Sequence, residues 1–286
     1  MRKPVTLEQY RERVVRVLDY LWHHLGEDLD AEKLAEIAHF SPFHFQRIYR
    51  ELMRESLHQS LKRLRLHQAA CLLSRSSHPV ATIAQEVGYA SAQALTRAFT
   101  TTYGEPPSRF RQRRLPAGDW TSTTPTQFKD YPMNYNVEIS QVTPVSLAGL
   151  PHQGDYLDIG QTFEKLFALA SSHSLLGPDT RSIGIYYDDP GSEDKSQLRA
   201  LAGISTTGDD LPTGFTCAAV GGGECAVLTF TGPYSDLEQV YEWLYGSWLP
   251  HSGREARNEP PFEEYLNDPR DTPPPQLVTK IYLPLQ

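Results

Sequence analysis

Cysteine and methionine are scarce in this chain, with three of each in 286 residues. Cys71, Cys217 and Cys225 are odd in number and form no C-x-x-C pair, which argues against a disulfide framework or a spaced zinc site. The histidines show no metal-ligand spacing either, so no metal and no cofactor is expected. No secretory apolar region and no run of 18 apolar residues occurs, and the sequence therefore predicts a cytoplasmic protein with no membrane partner. Catalytic signatures are missing too: there is no H-E-x-x-H, no evident Ser-His-Asp arrangement and no phosphate-binding loop. Gly221-Gly222-Gly223 is a lone glycine run ahead of a strand and reads as a loop. On these grounds the chain is not expected to be an enzyme.

What is present is divided unevenly. The net charge of −8 hides a basic segment and a strongly acidic one. Residues 1–118 carry 18 Lys+Arg against 12 Asp+Glu, and residues 119–286 carry 9 against 23. The first segment suits a phosphate backbone, which would repel the second. Two domains with different partners follow from that split.

The basic segment reads as helix throughout. Thr6 and Gln9 have capping-box spacing, and Val14, Leu18, Leu21 and Leu25 recur at helical period. Asp30 caps a short helix, and Ser41-Pro42 opens the next, from Phe43 to about Met53. A longer helix runs from about Leu57 to Arg75. The pattern then returns: Leu34-Ala35-Glu36-Ile37-Ala38-His39-Phe40 parallels Ile83-Ala84-Gln85-Glu86-Val87-Gly88-Tyr89. After a one-residue insertion, Phe45, Arg47 and Tyr49 parallel Leu95, Arg97 and Phe99. Each copy is a short helix, a tight turn and a second helix, which is helix-turn-helix organisation. The expected fold of this half is an all-α domain over residues 1–114, with two helix-turn-helix units joined by a linker helix.

The second helix of each unit carries side chains that can read bases. Opposite Phe45, Ile48 and Leu52 lie Phe43, Gln46, Arg47 and Arg50; opposite Leu95 and Phe99 lie Gln93, Thr96, Arg97 and Thr100. Gln and Arg make bidentate contacts with adenine and guanine edges, and aromatic groups touch thymine methyls. Lys62, Arg63, Arg65, Arg109, Arg111, Arg113 and Arg114 are better suited to phosphates.

Residues 115–132 contain Gly118, a Thr/Ser cluster and prolines, and read as a linker. Beyond them a second repeat occurs at an offset of 78–79. Gly154-Asp155-Tyr156 parallels Gly232-Pro233-Tyr234, and the Ile185–Pro190 stretch parallels Glu264–Pro269. Each copy reads as β-α-β-β, with helices at about 158–172 and 235–247. The acidic half is thus expected to be an α+β domain of tandem β-α-β-β repeats with pseudo-twofold symmetry over residues 133–286, with a ligand cleft on the axis. Strand alternation puts Glu263 and Tyr265 on one face and Phe262 and Glu264 on the other. The counterpart of Glu263 in the first copy is Gly184, so one carboxylate enters the cleft opposite an open space. Trp243, Trp248, Tyr156 and Tyr234 are candidate aromatic walls, suited to flat lipophilic cations.

Residues 1–114 resemble the DNA-binding domain of the AraC/XylS family of bacterial regulators. The resemblance rests on Ile83-Ala84 through Val87-Gly88-Tyr89, on Leu95-Thr96-Arg97-Ala98-Phe99, and on Tyr103-Gly104-Glu105-Pro106-Pro107-Ser108-Arg109-Phe110-Arg111. It implies that Phe43, Gln46 and Arg47 on one helix, and Ala92, Gln93, Thr96 and Arg97 on the other, contact bases in successive major grooves of double-stranded promoter DNA. Residues 133–286 resemble GyrI-like small-molecule-binding domains through Trp248-Leu249-Pro250, Ser252-Gly253 and Pro261-Phe262-Glu263-Glu264-Tyr265-Leu266-Asn267-Asp268-Pro269. The domain order is that of the right-origin-binding type of regulator. This second resemblance implies that Glu263 faces a cationic or polar part of a ligand. Three roles for the acidic half follow. It is an effector sensor that alters DNA occupancy or contact with RNA polymerase, a hydrolase of strained toxin-like molecules acting through Glu263, or a ligand-independent protein-contact module. The first is the expected one: a regulator for drug or stress resistance that binds a small lipophilic, cationic effector.

Overall fold

The structure, a computed structural model, describes residues 6–112, 135–191, 194–207 and 211–286. The expected linker at 115–132, together with Arg113 and Arg114, lies outside the described residues.

Helix α1 (Leu7–His23) opens on a complete capping box: Gln9 N donates to Thr6 Oγ1, and Thr6 N donates to the Gln9 side chain. The first helix-turn-helix is α2 (Ala31–Ala38) and α3 (Pro42–Met53). The second is α5 (Val80–Glu86) and α6 (Ala92–Tyr103). The turn between the helices needs a left-handed residue. Gly88 supplies it at φ +80° in the second unit, where a Cβ would sit 2.4 Å from the Leu25 carbonyl. His39 supplies it at φ +53° in the first.

Helix α4 (Leu57–Arg75) binds the two units together because its ends belong to different cores. Leu57 and Leu61 pack with Leu34, Phe45, Tyr49 and Leu21, whereas Leu66, Ala69 and Leu73 pack with Ile83, Leu95, Phe99 and Phe110 of α7 (Pro107–Gln112). A helix shared in this way holds both units at a fixed spacing.

The second half is an antiparallel sheet with helices, in which two strand-helix-strand-strand stretches are flanked by two further strands at the sheet ends. The first unit is β2 (Val145–Gln153), α8 (Ile159–Ser172), β3 (Ser182–Tyr186) and β4 (Arg199–Thr206). The second is β6 (Gly223–Thr231), α9 (Leu237–Trp243), β7 (Phe262–Tyr265) and β8 (Val278–Pro284). The additional strands are β1 (Val137–Val142) and β5 (Thr216–Val220). All eight form one antiparallel sheet in the order β1-β6-β8-β7-β3-β4-β2-β5. The pairings Val137↔Leu228 through Val142↔Gly223 continue in the same register as Val145↔Val220 through Gly149↔Thr216. One two-stranded ladder therefore joins the two ends of the sheet. It bends at Thr143-Pro144 opposite Gly221-Gly222. Both glycines have positive φ, and a Cβ on Gly221 would lie 2.8 Å from the Thr143 carbonyl. The glycine run is thus a bend in the ladder.

Helices α8 and α9 cover one face of the sheet, over β2/β4 and β6/β8 respectively. The central strands β3 and β7 are left open between them, and Glu263 and Tyr265 point from β7 into that gap. On the opposite face Phe262 stacks on Tyr282 at 4.5 Å, and Glu264 accepts from Arg181 (2.6 and 2.8 Å) and from the Tyr282 hydroxyl (2.8 Å).

Candidate functional site

The gap above β3 and β7 is a cavity of about 930 Å³. Its floor is Glu263, 3% exposed, whose carboxylate accepts from the Tyr241 hydroxyl at 3.0 Å and the Tyr265 hydroxyl at 2.9 Å. Tyr186 and Tyr265 share a short hydroxyl–hydroxyl hydrogen bond. A relay thus runs from Tyr186 through Tyr265 to the carboxylate. Burial pushes the Glu263 carboxyl up to about 6, against the opposing pull of the Tyr265 and Tyr241 hydrogen bonds and of the Arg47 charge. Burial and the Glu263 charge hold the hydroxyls of Tyr186, Tyr241 and Tyr265 well above the ordinary phenol range, so they remain donors. The result is a carboxylate that ionises near neutrality, in an aromatic chamber with no ion pair to it among the described residues.

The space opposite Glu263 is not empty. Gly184 pairs with Glu263 in the ladder, and the hydroxyls of Tyr186 and Tyr265 come within 3.0 Å of where a Cβ on Gly184 would be. Glycine there makes room for the relay.

Tyr156 and Tyr234 line the cavity. Tyr234 meets the Tyr265 ring edge-on at 5.4 Å, and Phe163 of α8 meets it from another side at 5.5 Å. Tyr156 packs edge-on against Tyr186 at 4.8 Å; its hydroxyl donates to the Arg199 carbonyl at 2.9 Å and accepts from Asp188 N at 3.0 Å. The structure places Trp243 and Trp248 elsewhere. Trp243 is buried behind α9, in edge contact with Tyr135 at 5.2 Å, and Trp248 packs against the same core. The helix phase explains this: Tyr241 lies two turns from Tyr234 and faces the cavity, which turns Trp243 to the far side. Tyr241 and Tyr186 were missed in the sequence. The seven-residue spacing from Tyr234 and the repeat partnership of Tyr186 with Tyr265 were the available signals.

The two candidate reading helices sit in unlike surroundings. On α6, Gln93 and Arg97 are exposed and Ala92 and Thr96 are part-exposed, with Leu95 and Phe99 turned into the core. Removing the Arg97 guanidinium is expected to weaken binding to a specific site by about 1–3 kcal/mol at fixed salt, because one bidentate base contact is lost. Arg97→Ala should leave the circular dichroism spectrum and melting point as they are. An unchanged affinity would exclude Arg97 as a base reader.

On α3 the expected open face is covered. Arg47 is 4% exposed, Arg50 pairs with Asp189 at 3.2 Å, and Phe43 and Gln46 are part-buried. Ile48, read from periodicity as helical core, packs instead with Leu244, Tyr245, Leu249 and Leu285 of the second domain. His44 is fully enclosed, with Nδ1 2.7 Å from the Tyr245 hydroxyl and Nε2 3.0 Å from the Arg257 carbonyl. The carbonyl can only accept, so Nε2 carries the proton and the tyrosine donates to Nδ1. Burial, reinforced by the Arg47 charge, drives this imidazole down to about 3. Tyr10 and Arg13 of α1 complete the contact, through the Arg254 carbonyl (3.0 Å) and Glu255 respectively.

Several basic residues assigned to phosphates do structural work. Arg65 donates to the Leu25 and Glu27 carbonyls, Arg63 pairs with Glu55, and Arg111 donates to the His78 carbonyl.

A helix-turn-helix pair with one exposed candidate reading helix, fused to a domain with an aromatic-walled cavity, is the architecture of a DNA-binding regulator with a small-molecule site. Residues 34–113 match a helix-turn-helix domain family, and residues 135–286 match the GyrI-like small molecule binding domain. The chain belongs to the AraC type of sequence-specific DNA-binding transcription regulators that carry a GyrI-like domain. It is 30% identical over 95 residues to the multiple antibiotic resistance protein MarA of Salmonella typhimurium (strain LT2), which spans 33% of this chain and 75% of that protein. With the RCS-specific HTH-type transcriptional activator RclR of Escherichia coli (strain K12) it shares 35% over 101 residues, 35% of this chain and 36% of that one. Among solved structures, the DNA-binding domain of AdpA in complex with a target DNA is 32% identical, with a TM-score of 0.33, covering 35% of this chain and 90% of that chain. No helix among the described residues is long and apolar enough to cross a membrane.

Proposed function

We propose that the chain is a one-component regulator whose cavity senses a small lipophilic cation and passes its occupancy to the DNA-reading half, through DNA occupancy or contact with RNA polymerase. The single observation that supports this is the buried Glu263 carboxylate, unpaired with any cation among the described residues and walled by Tyr186, Tyr234, Tyr241 and Tyr265. A carboxylate in a low-dielectric chamber attracts a cation strongly, and tyrosine faces add cation–π attraction. The two β-α-β-β units are read as repeats about a pseudo-twofold axis. The strand order β6-β8-β7-β3-β4-β2 and the opposition of Gly184 to Glu263 support that reading.

The site is proposed to bind without turnover. One observation favours the hydrolase reading: a carboxyl near 6 beside a hydroxyl relay has the properties of a general base. Product formation from a strained electrophile, lost in Glu263→Gln, would establish it.

The cation reading is tested by calorimetric titration with tetraphenylphosphonium and with tetraphenylborate, ions of like shape and opposite charge. Saturable binding of the phosphonium alone at pH 7.5 is expected. Equal binding of both ions would reduce the cavity to a greasy pocket with no charge preference.

A further inference from the structure

The cavity already contains a cation, and it comes from the DNA-reading half. Arg47 and Arg50, both on α3, form part of the cavity wall. The Arg47 guanidinium lies 5.3 Å from the centre of the Tyr241 ring and 5.6 Å from that of Tyr245. Its Nη2 donates to the Asp188 carbonyl at 2.6 Å. Its Nη1 is buried without a well-formed hydrogen bond among the described residues. Around it, α3 is fastened to the second domain by His44 on Tyr245 and Arg257, by Arg50 on Asp189, and by Ser41 Oγ on the Asn258 side chain at 3.0 Å. In this arrangement the base-reading face of α3 is the docking face, and no major groove can reach it.

We propose that Arg47 is a tethered occupant of the effector cavity: while its guanidinium lies over Tyr241, α3 is closed to DNA, and a lipophilic cation bound beside Glu263 displaces it and releases the helix. The inference rests on the cation reading of the cavity. Two cations cannot share the Tyr241 ring face within one cavity without repelling each other. The free effector has the further advantage of bringing no unsatisfied buried N–H. Because binding couplings are reciprocal, DNA that captures Arg47 must also tighten the cavity's hold on the cation. The exposed helix α6 remains available throughout, so the docked state keeps one of its two reading helices.

Two measurements on the full chain separate this proposal from the reading beneath it. Tetraphenylphosphonium should bind Arg47→Ala and Arg47→Met at least tenfold more tightly than wild type in calorimetry, because a competitor has gone. The methionine variant keeps the packing of the stem. Unchanged or weaker binding in both variants overturns the displacement. If the phosphonium binds none of the three proteins, the cation reading fails and the displacement falls with it. Masking is tested without any ligand. Ser41→Cys with Asn258→Cys, on a Cys217→Ser background, should form a disulfide that locks α3 in place. The oxidised protein should bind an in-vitro-selected duplex at least tenfold more weakly than the same protein after reduction. Equal affinities would show that docked α3 does not hinder DNA, which overturns the masking whatever the cavity binds.

Discussion

Glu263→Gln is expected to make the folded protein more stable and to abolish its preference for cations. The carboxyl stands at about 6 in the folded chain against an ordinary 4.5, because burial penalises the charge. A folded value above the unfolded one means that the contribution is fully present below pH 4.5 and is lost as the pH rises through about 6. At pH 8 the deficit is about 2 kcal/mol, from the gap between 4.5 and about 6. Glutamine keeps the shape and never ionises, so the variant should melt higher at pH 8 and match wild type at pH 4. The same variant should bind tetraphenylphosphonium at least tenfold less tightly at pH 7.5. In wild type, that affinity should decline as the pH falls below about 6 and the carboxyl takes up a proton. A variant that loses stability at pH 8 would show that the charge is fully compensated in the cavity. The physical idea is that the site holds an uncompensated charge ready for its ligand, at a cost in stability.

Acidification from pH 7.5 to 5 is expected to weaken the docking of α3 about thirtyfold. His44 accepts a proton at its ordinary value of 6.5 when α3 is free, but only near 3 when it is enclosed by Tyr245, the Arg257 carbonyl and Arg47. Docking stability carried by a depressed histidine is complete above 6.5 and is lost as the pH falls below it, about tenfold per unit down to 3. Glu263 adds a smaller effect of the same sign as the pH falls towards about 6, because docking brings Arg47 towards its carboxylate and lowers its value. Energy transfer between dyes on α6 and α8 would report the separation of the domains. His44→Gln can keep both hydrogen bonds, through its amide to the Arg257 carbonyl and its oxygen from Tyr245. It should flatten most of the response between pH 7.5 and 6. An identical pH profile in wild type and variant would remove His44 from the docking equilibrium.

Local chemistry was legible in the sequence and long-range chemistry was not. The Thr6/Gln9 box, the Ser41-Pro42 start and the Gly88 turn are consequences of neighbouring residues, and each is where the pattern places it. Strand alternation located Glu263 and Tyr265 on the cavity face. The edge strands β1 and β5 were not legible, because their partners lie in the other half of the domain. Aromatic identity alone did not separate cavity walls from core, so Trp243 was read as a wall while Tyr241 was passed over. The largest difference lies on α3. An amphipathic pattern tells which face avoids water, and α3 has two such faces. Phe45 and Tyr49 face the helical core, while His44, Arg47 and Ile48 face a domain some 200 residues away. A polar, basic face looks the same in sequence whether it meets solvent, DNA or a tyrosine-lined wall.

The position of β8 has a kinetic consequence. It follows every other strand in chain order, yet it lies between β6 and β7 near the middle of the sheet. During synthesis β6, with β1 beside it, therefore cannot be joined to β7 until β8 has emerged, and the ladder that joins the sheet ends pairs residues as distant as Val137 and Leu228. The helical half has no such dependence: its contacts are local and close early, as helical topologies do. For an interval after each round of translation, a nascent chain would have both candidate reading helices formed and no cavity into which Arg47 could retreat. A newly made molecule would then be briefly competent for DNA before it becomes responsive to its effector.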